Sequence, residues 1–145
     1  MSKSCIPNIC ITNVNYPHIV MEEKRSKITF QNPSRKTYQK IKVDGCVFSA
    51  DDGEKCDWLL QINEFEDQYF VELKGSDSLK AESQIAATIE KLHSAKKDAK
   101  CMAFIICANY SLKIDTNRQA LEKKYNKNNI KLLFKESGYS YTLER

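Results

Sequence analysis

Short apolar runs separated by polar turns dominate the first half of this chain. Residues 27–31, 55–62 and 69–74 each have the length, the β-branched or aromatic content and the flanking turn residues that are typical of strands. Within residues 35–49, polar and apolar positions alternate around Ile41 and Val43, which favours strand structure with one solvated face. Residues 51–53, Asp-Asp-Gly, predict a tight hairpin turn, because an Asp-Gly pair accepts the positive φ that such turns require.

The second half changes to a helical period. Ala81, Ile85, Ile89 and Leu92 recur at helical spacing, so the pattern predicts an amphipathic helix over about residues 79–97. Residues 101–108 form an uninterrupted apolar run, which is typical of a strand covered on both faces. A second helix is predicted over residues 115–126, with strands after it at 130–134 and 139–143.

This order of elements predicts an α/β fold in which a central mixed β-sheet is flanked by helices. The length of 145 residues suits a single domain, 1–145. Residues 1–26 give a poorly defined pattern, for which a short helix over about 19–24 is the best interpretation.

Composition narrows the class of protein. Apolar residues make up 41% and charged residues 29% of the chain, as in ordinary globular proteins. No apolar run approaches the ~20 residues of a membrane span, and the N-terminus lacks a signal-peptide core, so we expect a cytoplasmic protein with no membrane partner. The six cysteines include no Cys-x-x-Cys pair and are expected to be reduced core residues. The alternative is a redox or metal role for Cys46 and Cys56, which could face each other across two strands.

Three charged residues interrupt two apolar strands: Asp57, Glu72 and Lys74. Burying a charge costs several kcal/mol unless it is paired or ligated, so this placement suggests a function. Residues two apart on a strand share a face, so Glu72 and Lys74 point the same way. If residues 63–68 close a simple hairpin with Asp57 opposite Lys74 and Leu59 opposite Glu72, the two carboxylates lie diagonally, roughly 7–8 Å apart at Cα.

Two carboxylates at that separation suit Mg²⁺, for which Mn²⁺ is expected to substitute, and the backbone carbonyl of Leu73 is near enough to assist. A lysine on the same face can orient a water or offset charge on a phosphate. The residues therefore predict a metal-dependent phosphodiesterase, with Asp57 and Glu72 as ligands and Lys74 as the positioning or charge-stabilising group. A structural ion pair between Glu72 and Lys74, with Asp57 capping a turn, is the competing interpretation.

Asp57, then Glu72-Leu73-Lys74 at the end of the next strand, then Gly75 and a helix, resembles the PD-(D/E)xK nucleases. The resemblance to this restriction-endonuclease-like superfamily spans about residues 42–108. It implies a restriction-endonuclease-like core and endonuclease activity on DNA, in restriction and defence or in recombination and repair. It also implies a catalytic role for Gln84, on the helix that follows the lysine strand.

The chain departs from that family's pattern at three places. Cys56 stands where a proline usually precedes the aspartate. Glu22 and Glu23 are the only candidates for the glutamate that many members carry on a first core helix. Thr88 follows Gln84 where some branches have a tyrosine, which leaves the branch and the substrate open. Asp44 is interpreted as a turn or bulge residue beside Gly45, and an approach to the site from the neighbouring strand is the alternative.

The net charge of +4 permits a nucleic-acid partner. The resemblance implies DNA rather than RNA as that partner. Weak candidates for phosphate contacts are Arg35, Lys36, Lys96 and Lys97, and also Lys123-Lys124. A chain of this size leaves no room for a separate recognition domain, so selectivity is expected to come from a homodimer, from the N-terminal forty residues or from a partner protein. Two alternatives stay open: a catalytically inactive nucleic-acid- or protein-binding subunit with the same fold, and an RNA-directed nuclease.

Overall fold

The fold was analysed in a computed structural model of the chain. The structure describes residues 6–23, 26–49, 55–62, 67–74, 78–93, 99–107 and 116–143. The predicted turn at residues 51–53 lies outside this part of the chain.

Strands make up most of the described elements, with two helices inserted late in the chain. The described strands are β1 (Ile11–Val14), β2 (His18–Glu23), β3 (Ser26–Gln31), β4 (Tyr38–Lys42), β5 (Trp58–Ile62), β6 (Asp67–Lys74), β7 (Cys101–Cys107), β8 (Lys131–Glu136) and β9 (Tyr139–Thr142). The helices are α1 (Ser78–Leu92), between β6 and β7, and α2 (Thr116–Lys127), between β7 and β8; a short 3₁₀ turn, Asn8–Cys10, precedes β1.

Six strands form one mixed sheet in the order β1-β4-β5-β6-β7-β8. The strands from β1 to β6 pair antiparallel, whereas β6, β7 and β8 run parallel and are connected through α1 and α2. Every residue of β7 is buried, which confirms the prediction of a strand covered on both faces. The structure is therefore a mixed α/β fold with a mixed sheet, as the order of elements predicted.

Both helices pack on the same face of this sheet. Ile85, Ile89 and Leu92 of α1 and Tyr125 of α2 belong to one buried cluster with Phe70 of β6, and that cluster continues onto β7 and β8. Among the described residues, the predicted flanking by helices is thus met on one face, which we call the helix side.

A three-stranded sheet covers the other face. Its order is β2-β3-β9, with β2 antiparallel and β9 parallel to β3. The predicted helix over residues 19–24 is wrong, because Ile19 and Met21 alternate with exposed neighbours on β2 and point into the space between the two sheets. A short apolar run is ambiguous between helix and strand, and pairing with β3 decided it.

Aromatic rings fill the space between the two sheets. The Phe30 ring of β3 lies 5.4 Å from that of Phe104, edge to face, 5.9 Å from that of Tyr69 and 6.3 Å from that of Tyr141. Such tilted arrangements favour the contact between the positive edge of one ring and the negative face of another. This cluster joins strands from both sheets into one packed layer.

A disulfide joins Cys10, at the end of the 3₁₀ turn, to Cys46, in the loop after β4. The prediction that these two cysteines are reduced core residues is wrong. The alternative of a shared redox or metal role for Cys46 and Cys56 is not met either, because Cys46 is bonded to Cys10 and Cys56 is a free thiol. Disulfides persist mainly in oxidising surroundings, so this bond is at odds with the reducing compartment that the sequence suggested. Cys56, Cys101 and Cys107 are buried free thiols, as predicted.

Neither described helix is long and apolar enough to cross a membrane.

We expect Phe30→Ala to lower the free energy of unfolding by about 3–5 kcal/mol, because it removes the ring that contacts three others between the sheets. Urea unfolding of the variant and the wild type measures this difference. Val20→Ala on the neighbouring strand is the matched control; its side chain is exposed, so its effect should stay within about 0.5 kcal/mol. Equal effects at the two positions would contradict the packing described here.

Candidate active site

The pairing of β5 with β6 brings Asp57 and Glu72 side by side. Trp58 lies opposite Val71 and Leu59 opposite Phe70, so Asp57 and Glu72 are the next residues outward on the two chains. The assumed register, with Leu59 opposite Glu72, is wrong by two residues. A shift of two residues leaves every side chain on its own face of the sheet. The two carboxylates are therefore still neighbours in the observed register.

Asp57 is held at three points where β5 begins. Its backbone N–H donates to the Val71 carbonyl at 3.1 Å, and its own carbonyl accepts from the Val43 N–H at 3.0 Å. Its carboxylate Oδ2 accepts from the Leu73 N–H at 2.8 Å. The side chain thus continues the ladder of hydrogen bonds beyond the end of the strand, and the direction of the carboxylate is set by the backbone of β6.

Glu72 is a carboxylate inside the protein, with no exposed surface. It shares its face of β6 with Phe70, which lies in the helix-side cluster, so alternation directs Glu72 towards α1. A carboxylate that loses its hydration at such a position must gain a proton, a cation or donors, since otherwise the cost is several kcal/mol. With Asp57 as its neighbour on β5, a cation would offset two negative charges at once.

Thr88 links α1 to Cys56, the residue before Asp57. Its side chain is fully buried, and its hydroxyl accepts from the Cys56 N–H at 2.7 Å and donates to the Gln84 carbonyl at 2.9 Å. Gln84 therefore lies one turn before a residue that touches the neighbour of Asp57, and its side chain is partly exposed. The contact with Thr88 is made by the backbone carbonyl of Gln84, and the role of its side chain stays a prediction.

Sequence reasoning missed Thr88 and Cys56 as parts of this arrangement. A hydroxyl in the apolar stripe of a helix, four residues after Gln84, was the available signal, because buried polar groups normally have partners. Cys56 lies in the same cluster. Burial raises the pKa of its thiol, and a hydrogen bond with Thr88 lowers that pKa by a smaller amount. The negative charges of Glu72 and Asp57 also raise the pKa of this thiol. The two carboxylates and this thiol therefore lie close enough to interact.

The Glu72-Leu73-Lys74 segment ends β6 beside the end of β7. Lys74 pairs with Cys107 and Leu73 with Ile106 in the parallel ladder. Leu73 buries its side chain on the face of the second sheet, while its N–H holds Asp57. The backbone position of Lys74 places it two residues beyond Glu72 on the same face of the strand. The side chain of Lys74 lies outside the described part of the structure.

The remaining acidic candidates are accounted for by other contacts. Glu22 and Glu23 lie on β2 of the second sheet, so they do not form a first core helix, and the Glu23 carboxylate pairs with the Lys42 ammonium. Asp44 forms a bridge with Phe48 across a turn in which Gly45 has a φ of 84°. That turn geometry agrees with the interpretation of Asp44 as a turn residue.

Of the basic candidates, the described Arg35 and Lys36 lie away from the carboxylates. Arg35 precedes the start of β4, and its guanidinium Nε donates to the Asn15 carbonyl at 3.2 Å. Because β4 pairs antiparallel with β5 through Lys42 and Trp58, Arg35 and Lys36 lie beyond the opposite end of β4 from Asp57. Lys96 and Lys97 fall outside the described residues.

The donor set of the described site is two carboxylates. No group of three or more His, Cys, Asp or Glu side chains gathers as a metal site within the described ranges. Asp57 and Glu72 nevertheless fit a hard cation that keeps part of its water shell, since Mg²⁺ is commonly bound through one or two carboxylates. Comparison with protein-family models, with curated proteins and with solved structures found no match.

The raised pKa of the Cys56 thiol predicts a pH-dependent loss of stability. Below about pH 9 the thiol is neutral in the folded and the unfolded chain, and its contribution is fully present. Above that pH the unfolded chain loses the proton while the folded chain keeps it. The free energy of unfolding should therefore fall by about 1.4 kcal/mol per pH unit on account of this group alone.

Urea unfolding at about pH 8 and about pH 10, for the wild type and Cys56→Ala, measures this contribution. The variant lacks the thiol, so its loss of stability between the two pH values should be smaller than that of the wild type. Every other titrating group is common to both proteins and cancels in the comparison. An equal loss in both proteins would show that the Cys56 thiol is not kept protonated by its surroundings.

Proposed function

We propose that this chain is a metal-dependent nuclease that hydrolyses phosphodiester bonds in DNA. The observation that carries the proposal is the fully buried Glu72 carboxylate beside Asp57, at the carboxyl end of β6. A buried carboxylate next to a second carboxylate lowers the stability of the fold. Such arrangements are common at functional sites, where the two groups act together.

The arrangement of elements supports the same proposal. Three antiparallel strands, β4, β5 and β6, are followed by α1 and by β7 parallel to β6. These elements match the strands, the helix after the lysine strand and the fourth core strand that the resemblance to PD-(D/E)xK nucleases implies; the first core helix has no counterpart among the described residues. The acidic residues lie where β6 ends, beside the helix that carries Gln84.

Asp57 and Glu72 would hold Mg²⁺ or Mn²⁺, with the Leu73 carbonyl as a third oxygen. The bound cation supplies a positive charge next to the scissile phosphate and a water of increased acidity. The chain's own contribution is placement: the Leu73 N–H orients the Asp57 carboxylate, and strand pairing places the buried Glu72 beside it. Lys74 would orient the attacking water or offset the charge that develops on the phosphate.

A second candidate function is a binding subunit that has lost catalysis. The hydrogen bond from the Leu73 N–H to Asp57 favours it, because a carboxylate that caps a strand end has a structural reason to be present. This candidate retains the fold and the nucleic-acid or protein partner but predicts no cleavage.

A cleavage panel distinguishes these functions. Linear, supercoiled, single-stranded and branched DNA, together with RNA, are incubated with Mg²⁺, with Mn²⁺ and with EDTA. We expect metal-dependent cutting of DNA that falls by roughly a hundredfold or more in Glu72→Gln and Lys74→Ala, because each removes a charge that acts in the transition state. Asp57→Asn tests the second ligand while it keeps an oxygen for the Leu73 N–H.

Asp44→Asn is the matched control, since Asp44 is the carboxylate of the neighbouring turn and its backbone N–H, not its side chain, contacts the Asp57 carbonyl. Its activity should equal that of the wild type. Thermal unfolding of every variant excludes loss of fold as the cause. Folded wild type that cuts nothing with either metal would overturn the nuclease, and preferential cutting of RNA would overturn DNA as the substrate.

A further inference from the structure

A groove lies between α2 and the last strand of the six-stranded sheet. It has a volume of about 560 Å³ and is lined by Gln119, Glu122, Lys123 and Asn126 from α2 and by Lys131–Leu133 from β8. The four helix residues stand at spacings of three and four, so they form one face of α2. No step of the proposed nuclease uses this groove.

The wall of the groove on the strand side is the edge of a sheet. In the described part of the chain, β8 pairs with β7 on one side and is the last strand of the order on the other. The next strand, β9, leaves this sheet to pair with β3. An edge strand presents alternating N–H donors and C=O acceptors, which an added extended chain can pair with.

Lysines outnumber glutamates around the groove, and its lining has Lys123 and Lys131 against Glu122. Between residues 119 and 136 the sequence has five lysines and two glutamates, whereas the whole chain carries a net charge of only +4. Lys123 on the helix wall and Lys131 on the strand wall are both exposed. An occupant of this groove therefore meets lysines from two sides, which favours a chain with carboxylates on both of its faces.

We propose that this groove binds an extended acidic peptide segment of a partner protein, which adds as a strand to β8. The peptide backbone pairs with the edge of β8, side chains of one face enter the groove beside Lys123, and those of the other face lie beside Lys131. The peptide chemistry follows from the edge: donors alternate with acceptors along it, and a peptide backbone matches both, whereas the phosphates of a nucleic acid offer acceptors only.

A second copy of the chain is a poorer occupant. Antiparallel pairing of two β8 strands about Leu133 places Lys131 of one copy opposite Lys135 of the other, at both ends of the pairing. Like charges directly opposite each other destabilise a strand pair. The same lysines that disfavour a second copy favour an acidic peptide.

The test measures binding to the full chain of short fluorescent peptides in which glutamate alternates with valine. Two peptides are used, one that begins with glutamate and one that begins with valine, so that glutamates lie on either face of the added strand. We expect saturable binding that weakens roughly tenfold or more in Lys123→Glu and in Lys131→Glu, since each reversal turns an attraction into a repulsion. Lys124→Glu is the matched control: it makes the same charge change on an exposed residue of α2 that does not line the groove. Its affinity should equal that of the wild type.

Amide resonances of Lys131–Phe134 should shift on binding, because the proposal places the peptide on this backbone. Several results would overturn it. Equal binding of a lysine–valine peptide or displacement by single-stranded DNA would exclude an acidic peptide as the specific occupant. Binding that is as sensitive to Lys124→Glu as to the groove variants would place the contact elsewhere. Absence of binding would overturn the peptide site, and the lysines on β8 would then be explained as charges that protect an edge strand from aggregation.

Discussion

The pairing of β5 with β6 is the interaction on which the rest of the candidate site depends. It places Asp57 beside Glu72, and it supplies the Val71 carbonyl and the Leu73 N–H that hold the backbone and the carboxylate of Asp57. A change of one residue in this register would send one of the carboxylates to the opposite face of the sheet. The geometry of the site is therefore a property of a strand ladder, which is more rigid than a loop, and the acids need no further segment to meet.

Two layers of different kind stabilise this ladder. On one face, α1 and α2 cover an aliphatic and cysteine-rich cluster, and Thr88 adds a hydrogen bond that links α1 to the start of the Asp57 segment. On the other face, the second sheet contributes Phe30 and Tyr141 to an aromatic cluster. The disulfide between Cys10 and Cys46 ties the beginning of the chain to the loop whose Val43 N–H binds the Asp57 carbonyl. Each layer thus contacts the segment that carries the acids.

The two proposals concern opposite halves of the parallel part of the sheet. The carboxylates lie where β6 ends, and the groove lies beside the first half of β8, behind α2. Acidic side chains are concentrated at the first place and lysines at the second, so the two surfaces suit ligands of opposite charge. A partner at the first half of β8 would lie at the opposite end of the parallel strands from the two carboxylates.

The sequence by itself determined most of the elements and the shared face of Glu72 and Lys74. Periodicity of two or of 3.6 is a local property, and it is written in the order of residues such as Ile85, Ile89 and Leu92. Periodicity does not say what covers an apolar face: the run at Ile19 and Met21 became a strand of a second sheet because β3 was there to pair with it. Nor does it fix register, so Asp57 moved from beside Lys74 to beside Glu72. The partners of Cys10 and Thr88 lie more than thirty residues away along the chain, and only the tertiary structure decided them, because such contacts depend on where whole elements pack.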